Sequence, residues 1–277
     1  GKGIVQLRLI GGPEALPSRE QMSALARGVN DIYYGPTAYY LGQIPEVTAF
    51  NGSNKPVMQL RKEGHLDWID QFFQKRVNAK FLGFYGSGFS FHIYLVDPPK
   101  RTEDGGVDLT GLKVRGSPSY AAQYEALGIS RVGISAAEVY TALERGLLKG
   151  TGFPTMGVTD SGWHKFLKYR IFPTFKQGDI SFVMNLDRWN KLSKAQQDFI
   201  QEAAIRHETL AHEHFIEVSK KESEILKDSG VTDVVLTGKG RERYLAAFYD
   251  TVWNPLEEKV GKELTDEIRK RFYDPSL

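Results

Sequence analysis

One arginine carries the clearest chemistry in this sequence. Arg115 ends the run GLKVR at 111–115, which reads as a strand, and Ser117-Pro118 follows with the residue types of a helix start. Ser117 is expected as N-cap and Pro118 at the first helical position, where its missing N–H costs nothing; the helix would run over 118–127 and close at Gly128. A guanidinium presents paired planar donors that match a carboxylate, and the orphan N–H groups and dipole of a helix start favour the same charge. The pattern predicts a receptor for a small acid, with Arg115 as anchor and Ser117 beside it. The plain alternative is an arginine exposed at a strand end or paired with a protein carboxylate.

Other apparent motifs give less. The stretch His207-Glu-Thr-Leu-Ala-His212 resembles a zinc-protease helix, but its histidines are five apart and diverge around the helix; His212 and His214 diverge too. Packing or surface roles are expected for all three, and no metal site. The glycines of GFYGSG (Gly83, Gly86, Gly88) and GTG (Gly150, Gly152) complete neither a dinucleotide fingerprint nor a phosphate loop and read as turns and hinges. With no cysteine there is no disulfide, thiolate site or thiol nucleophile. No Ser/His/Asp grouping assembles by local spacing, so no catalytic residue, metal or cofactor is expected.

The elements that must hold Arg115 follow from periodicity. Ser135 and Glu138 have capping-box spacing and open a helix whose apolar face (Val139, Ala142, Leu143) lasts to Gly146. Strands are predicted over 4–10, 31–34, 81–85, 89–96, 180–184 and 231–236, helices over 19–26 and 64–76, and a turn-rich connection over 97–106. From 193 to 229 there is neither Gly nor Pro, and an apolar face recurs through Phe199, Ala203, Leu210 and Ile225. Such a helix, on the order of 55 Å long, should span two lobes; a coiled coil is the other reading, its heptads poorly filled. Strands alternating with helices give an α/β class.

Composition agrees with an ordinary globular protein. The 36 basic residues are balanced by 34 acidic ones and the net charge is +2, which disfavours nucleic acid as a partner. No apolar run is long enough to span a membrane, and the opening GKGIVQLRLIGG lacks the features of a signal peptide, so an exported protein would have had its signal peptide removed.

The order GLKVR, AAEVYTALERG, GTGFP resembles the central signature of solute-binding proteins of tripartite ATP-independent periplasmic (TRAP) transporters, the DctP-type family. Similarity extends from ALARGVNDI through LDRWNKLSKAQQDFIQEAA to VGKELTDEIRK. The resemblance implies a two-lobed, periplasmic-binding-protein-like α/β fold with a hinge and a long helix spanning both lobes. Lobe I would comprise 1–88 and 179–218, lobe II 89–178 and 219–277, and the ligand would lie in the cleft between them. By the same resemblance, the first βα unit normal to the family would be missing or unrepresented ahead of the segment like IVQLRLIGG. The implied function is a periplasmic receptor that closes on a small organic acid and delivers it to the TRAP membrane permease; it would be no enzyme and not itself membrane-spanning. An enzyme or sensory protein on the same fold is the alternative.

The resemblance makes Arg115 the clamp of the substrate carboxylate. It also marks departures. Phe153 replaces the Asn that commonly precedes the turn-closing Pro, and Ser90, with His92 two residues on, replaces a second Arg in the crossover strand. A dicarboxylate or sialic acid is therefore less expected than a monocarboxylate with an apolar or ring-bearing body, contacted by aromatics from Tyr33, Tyr34, Tyr39, Tyr40, Phe89, Phe91, Phe153 and Trp163. His92 would add positive charge near neutral pH. Asp179, where some members carry a ligand-contacting Gln, would accept from ligand hydroxyls, pair with Arg115, or simply cap a strand or lie at the surface. His164 lies in the segment after the turn.

Overall fold

The computed structural model describes residues 3–275. The chain divides into two compact units: unit 1 is Gly1–Gly88, Asp179–Glu213 and Leu256–Leu277, and unit 2 is Phe89–Gly178 and His214–Pro255. The stretch 256–277, expected with the second lobe, packs within unit 1. There Phe272, fully buried, stands edge-on to Phe50 at 5.7 Å.

Among the described residues the strands are, in chain order, β1 (Ile32–Pro36), β2 (Ala79–Phe84), β3 (Phe91–Leu95), β4 (Lys100–Arg101), β5 (Val107–Asp108), β6 (Lys113–Arg115), β7 (Ser130–Val132), β8 (Gly150–Pro154), β9 (Tyr169–Phe172), β10 (Ile180–Asn185) and β11 (Thr232–Val235). Unit 1 holds the antiparallel sheet β1-β10-β2. Unit 2 holds the mixed sheet β11-β9-β3-β8-β6-β7, in which β6 runs parallel to both β7 and β8 and β3 runs antiparallel to β8. The expected turn over 97–106 carries the small hairpin β4-β5.

The expected strand over 4–10 is not formed. Its alternating apolar residues find no ladder, and Leu7, Leu9 and Ile10 stay largely exposed. Strand-like periodicity cannot satisfy backbone groups without a neighbouring strand.

In unit 1 the helix His65–Val77 starts at Gly64 and stops at Asn78, both left-handed. Its buried Asp70 accepts from the backbone N–H of Phe81 (2.7 Å) and from Lys80 Nζ, so the helix is tied to β2 as well as packed on it. In unit 2 the helix Ala136–Glu144 has its expected start: the Glu138 carboxylate accepts from Ser135 N (2.9 Å) and Ser135 Oγ (2.6 Å). Val139 and Leu143 enter a core with Tyr94, Leu148, Trp163 and Leu226. The helix expected over 118–127 is shorter and tighter. It is a 3₁₀ turn Pro118–Tyr120 followed by an α-helix Ala121–Ala126.

The long helix is Lys194–Asp228, an uninterrupted 35 residues that contributes to both units. Each portion carries one buried carboxylate. Glu208 takes both nitrogens of an Arg61 fork (2.6 and 3.1 Å) and the N–H of Phe84 (2.9 Å). Glu222 takes the N–H (2.8 Å) and hydroxyl (2.5 Å) of Thr159. Gly88, the last residue of unit 1 before the first crossing, has φ of 96° and lies so close to the helix that a Cβ would stand 2.3 Å from His212 O.

Two stability measurements follow from these contacts. Removing the Arg61 guanidinium strands a buried carboxylate, so Arg61→Leu should cost about 3 kcal/mol in urea unfolding at pH 7, whereas removal of an exposed ion pair such as Lys262–Asp266 should leave the midpoint nearly unchanged. Gly88→Ala meets helix backbone in a conformation that L residues avoid. A loss of roughly 2 kcal/mol is expected.

Candidate ligand-binding site

Arg115 is the last residue of β6, and its register partners are Val132 on β7 and Thr151 on β8. Because β3 runs antiparallel to β8, Phe91 at the start of β3 lies opposite Pro154 at the end of β8. The carboxyl ends of β6 and β8 and the beginning of β3 therefore share one edge of the unit 2 sheet. Loops at the carboxyl ends of parallel strands are free to build a site, since no ladder hydrogen bonds continue there.

The Arg115 side chain is partly exposed and held from behind by carbonyls: Nε donates to Ile134 O (3.2 Å), and Nη1 lies 3.5 Å from Gly152 O. Tyr120 Oη also donates to Gly152 O, at 2.9 Å, and Tyr124 Oη donates to Arg115 O at 3.2 Å. Two glycines make room for these rings. A Cβ on Gly152 would stand 2.3 Å from Tyr124 Oη, and one on Gly116 would stand 2.7 Å from the Tyr124 ring. The arrangement fixes a guanidinium at a strand end, held by carbonyls and with no carboxylate ion pair among the described residues.

Beside Tyr120 lies an aromatic cluster of which Phe91 is half-buried and the other rings are buried. Phe91, Tyr120 and Phe175 lie within 5.4 to 6.2 Å of one another, and Phe89 stands 6.2 Å from Phe91. Lys176 lies on this cluster. Its side chain is almost wholly buried, 2 % exposed, with Nζ 4.6 Å from the Phe91 centroid and 6.0 Å from that of Tyr120. Nothing in the local pattern FPTFKQGD marks this lysine for burial. Tyr120 and Lys176 are the two residues that sequence reasoning missed.

The other expected contacts divide. Ser90 and Phe153 lie at the same strand ends as Arg115: Ser90 N donates to Thr155 Oγ1 (3.4 Å), and Phe153, half-buried, stands edge-on to Trp163 at 4.4 Å. Ser117 accepts from Ser119 N (3.4 Å), so its oxygen caps the short turn. A helix start of three 3₁₀ residues and six α residues adds little dipole, so the anion attraction expected there falls mainly to Arg115. Trp163 is 2 % exposed and belongs to the unit 2 core; its expected ligand contact gives way to packing against Phe153.

His92 is corrected as well. It is 2 % exposed, its Nδ1 bonds Ile171 O at 2.8 Å, and burial, reinforced by nearby Arg170, lowers its pKa to about 3. It is neutral at neutral pH and supplies no charge to a ligand. In unit 1, Asp179 is buried, and its Oδ2 accepts from Thr37 Oγ1 and Ala38 N, both at 3.0 Å, capping the turn Thr37–Tyr39. Tyr39 is exposed, while Tyr34 lines an apolar groove of about 490 Å³ with Val5, Leu7, Tyr85 and His207. Of the three histidines of the long helix, His207 packs on Tyr85 (4.6 Å), His212 bonds Ser87 Oγ (3.0 Å) and His214 neighbours Phe215.

Comparison with known proteins settles the family. The model described as bacterial extracellular solute-binding protein, family 7 (DctP), matches residues 2–259. The chain belongs to this family. DctP-type proteins are periplasmic solute receptors of TRAP transporters and not enzymes. A solute-binding protein of Verminephrobacter eiseniae is 27% identical over 164 residues, 58% of this chain and 48% of that protein. Protein YiiZ of Salmonella typhimurium is 27% identical over 178 residues, 62% of this chain and 53% of that protein. The chain spans about half the length of these curated relatives.

Solved structures fix the fold of this DctP-family chain. A TRAP receptor of Desulfovibrio salexigens with bound orotic acid has a TM-score of 0.78 at 19% identity, covering 92% of this chain and 83% of that one. One from Pseudomonas putida F1 with bound D-glucuronate has a TM-score of 0.72 at 20% identity, with coverages of 91% and 81%. The shared architecture is the two-lobed α/β fold with its long helix, Lys194–Asp228 here.

The neutral state of His92 has a measurable consequence. The unfolded chain takes up a proton near the ordinary histidine pKa, while the folded chain resists until about pH 3. The folded state therefore binds fewer protons across that window, and stability falls as pH drops below about 6.5, by up to about 1.4 kcal/mol per pH unit from this one group. Urea unfolding of wild type and His92→Gln at pH 7, 6, 5 and 4 should show a shallower acid loss in the variant.

Proposed function

We propose that this DctP-family chain binds a small organic acid, with the carboxylate on Arg115 and the body of the ligand against the half-buried rings of Phe91 and Phe153, and delivers it to a TRAP membrane permease. The observation that carries the reading is Arg115 itself. Its guanidinium is fixed by two backbone carbonyls at the carboxyl end of β6, partly exposed, in the geometry that a carboxylate can take with two parallel bonds. The receptors with orotic acid, D-glucuronate and L-gulonate each hold a carboxylate ligand, which supports the same class here. Phe153 and Ser90 flank the anchor and favour a body that is apolar or ring-bearing. Hinge closure on the bound acid belongs to the same proposal.

Mass spectrometry of small molecules released from the purified protein identifies the acid, and calorimetric titration of the emptied protein then compares Arg115→Ala with wild type. Loss of the bidentate partner should weaken binding by at least about thirtyfold, equivalent to about 2 kcal/mol. Retention of the same acid at full occupancy by Arg115→Ala would overturn the assignment.

A further inference from the structure

Two arginines cross over at the carboxyl ends of β6 and β7. The strands are three residues each, β7 is the edge of the unit 2 sheet, and Gly116 N to Val132 O (3.2 Å) is the last backbone bond between them. Beyond it two guanidiniums take over. Arg115 of β6 donates through Nε to Ile134 O (3.2 Å), past the end of β7, and Arg131 of β7 donates through Nη1 to Gly116 O (3.1 Å), past the end of β6. Each arginine thus holds the chain that leaves the other's strand.

Room is kept for this crossing. A Cβ on Gly116 would stand 3.2 Å from Arg131 Cγ, and one on Gly133 would stand 3.3 Å from Arg131 Nη1. An exposed arginine gives up rotamer freedom when it folds back onto a backbone carbonyl, and water satisfies a guanidinium as well. No carboxylate draws Arg131 into this place, since it forms no ion pair among the described residues. The strand end holds it there. Gly133 and Ile134 make no backbone–backbone hydrogen bond among the described residues, so main-chain pairing does not place the carbonyl that Arg115 uses.

We propose that Arg131 is a positioning residue of the acid site: by pinning Gly116 O it fixes the spacing of the β6 and β7 ends, and so holds Ile134 O where Arg115 Nε meets it. The role rests on the acid-receptor reading above and deepens it. Arg115 is level with Val132 and Arg131 with Val114, so the two side chains leave opposite faces of the sheet. The contribution of Arg131 therefore passes through the strand ends and not through contact with the acid.

Hydrogen exchange at the arginine Nε–H groups, followed by NMR on the ligand-free protein, and titration calorimetry with orotate, D-glucuronate and benzoate test this on wild type, Arg131→Met, Arg131→Lys, Arg115→Lys and the double variant Arg115→Lys/Arg131→Met. The unfolding midpoint of each protein is read alongside. The Arg115 Nε–H signal is the one absent from Arg115→Lys. In Arg131→Met that signal should exchange at least about threefold faster, and the probe that binds wild type most tightly should bind about fivefold more weakly. Arg131→Lys, which keeps a donor for Gly116 O, should stay within about twofold of wild type. In the Arg115→Lys background Arg131→Met should add no further loss, because its effect passes through the Arg115 Nε bond. Additive losses would make Arg131 a direct contact and overturn the proposal. Unchanged exchange and affinity in Arg131→Met beside a lower midpoint, the mark of a purely structural residue, overturn it too. A loss in Arg115→Lys with none in Arg131→Met strikes the positioning role alone; no binding by any probe strikes the acid-receptor reading, and this role falls with it.

Discussion

A helix of 35 residues cannot bury its whole circumference, and this one is kept in place by two carboxylates that have nowhere to go but inward. Glu208 and Glu222 are each buried and each satisfied by two or more donors from the unit around it: Arg61 and the Phe84 N–H for the first, the Thr159 N–H and hydroxyl for the second. A buried charge with its hydrogen bonds complete adds little net stability, but one left incomplete is costly. The effect is to specify register. Sliding the helix by one residue would turn both acids away from their donors and remove the His212 backbone from the gap that Gly88 leaves for it. Burial raises the Glu208 pKa and the Arg61 guanidinium opposes that shift.

The candidate site inherits its rigidity from the sheet rather than from the helix. Arg115 is fixed because β6 lies between two parallel neighbours and because Gly116 and Gly152 let Tyr124 and Tyr120 pass across the strand ends. The tyrosine hydroxyls are spent on backbone carbonyls, Arg115 O and Gly152 O, and both rings are buried, so they brace the strand ends from within. Preorganisation of this kind lowers the ordering cost of binding more than it adds contacts. On the proposed reading it also accounts for the short helix start at Pro118: a fixed guanidinium would hold the anion, and the dipole would have little left to do.

How much of this could be read from the sequence depended on whether the cause was local. The long helix was legible because an absence of Gly and Pro over 193–229 is a local fact, and the Ser135–Glu138 cap because its two partners are three residues apart. Arg115 at a strand end was legible for the same reason. The strand expected over 4–10 failed because alternation is necessary for a strand but a partner is what makes one. Trp163 and His92 were misassigned because burial is decided by distant segments: Phe153 covers the indole, and Ile171, 79 residues from His92, takes the imidazole proton site. Lys176 was invisible for that reason too. Its surroundings come from Phe91 and Tyr120, neither near in sequence, so nothing distinguishes it from an ordinary loop lysine.

These corrections change the electrostatic character expected of the site. The sequence suggested one cation, a titratable histidine and an aspartate at hand to balance them. In the folded chain the histidine is neutral and so adds no charge at the Arg115 end of the unit 2 sheet, while Asp179 caps the turn after β1 in unit 1. What remains there is Arg115, fixed by backbone carbonyls at the end of β6, with half-buried Phe91 and Phe153 on the neighbouring strands. Aromatic surface alone would accept many apolar bodies of similar size with little preference. On the proposed reading, discrimination between an anionic and a neutral group therefore falls to the one fixed guanidinium, and the rings limit only the shape of the body attached to it.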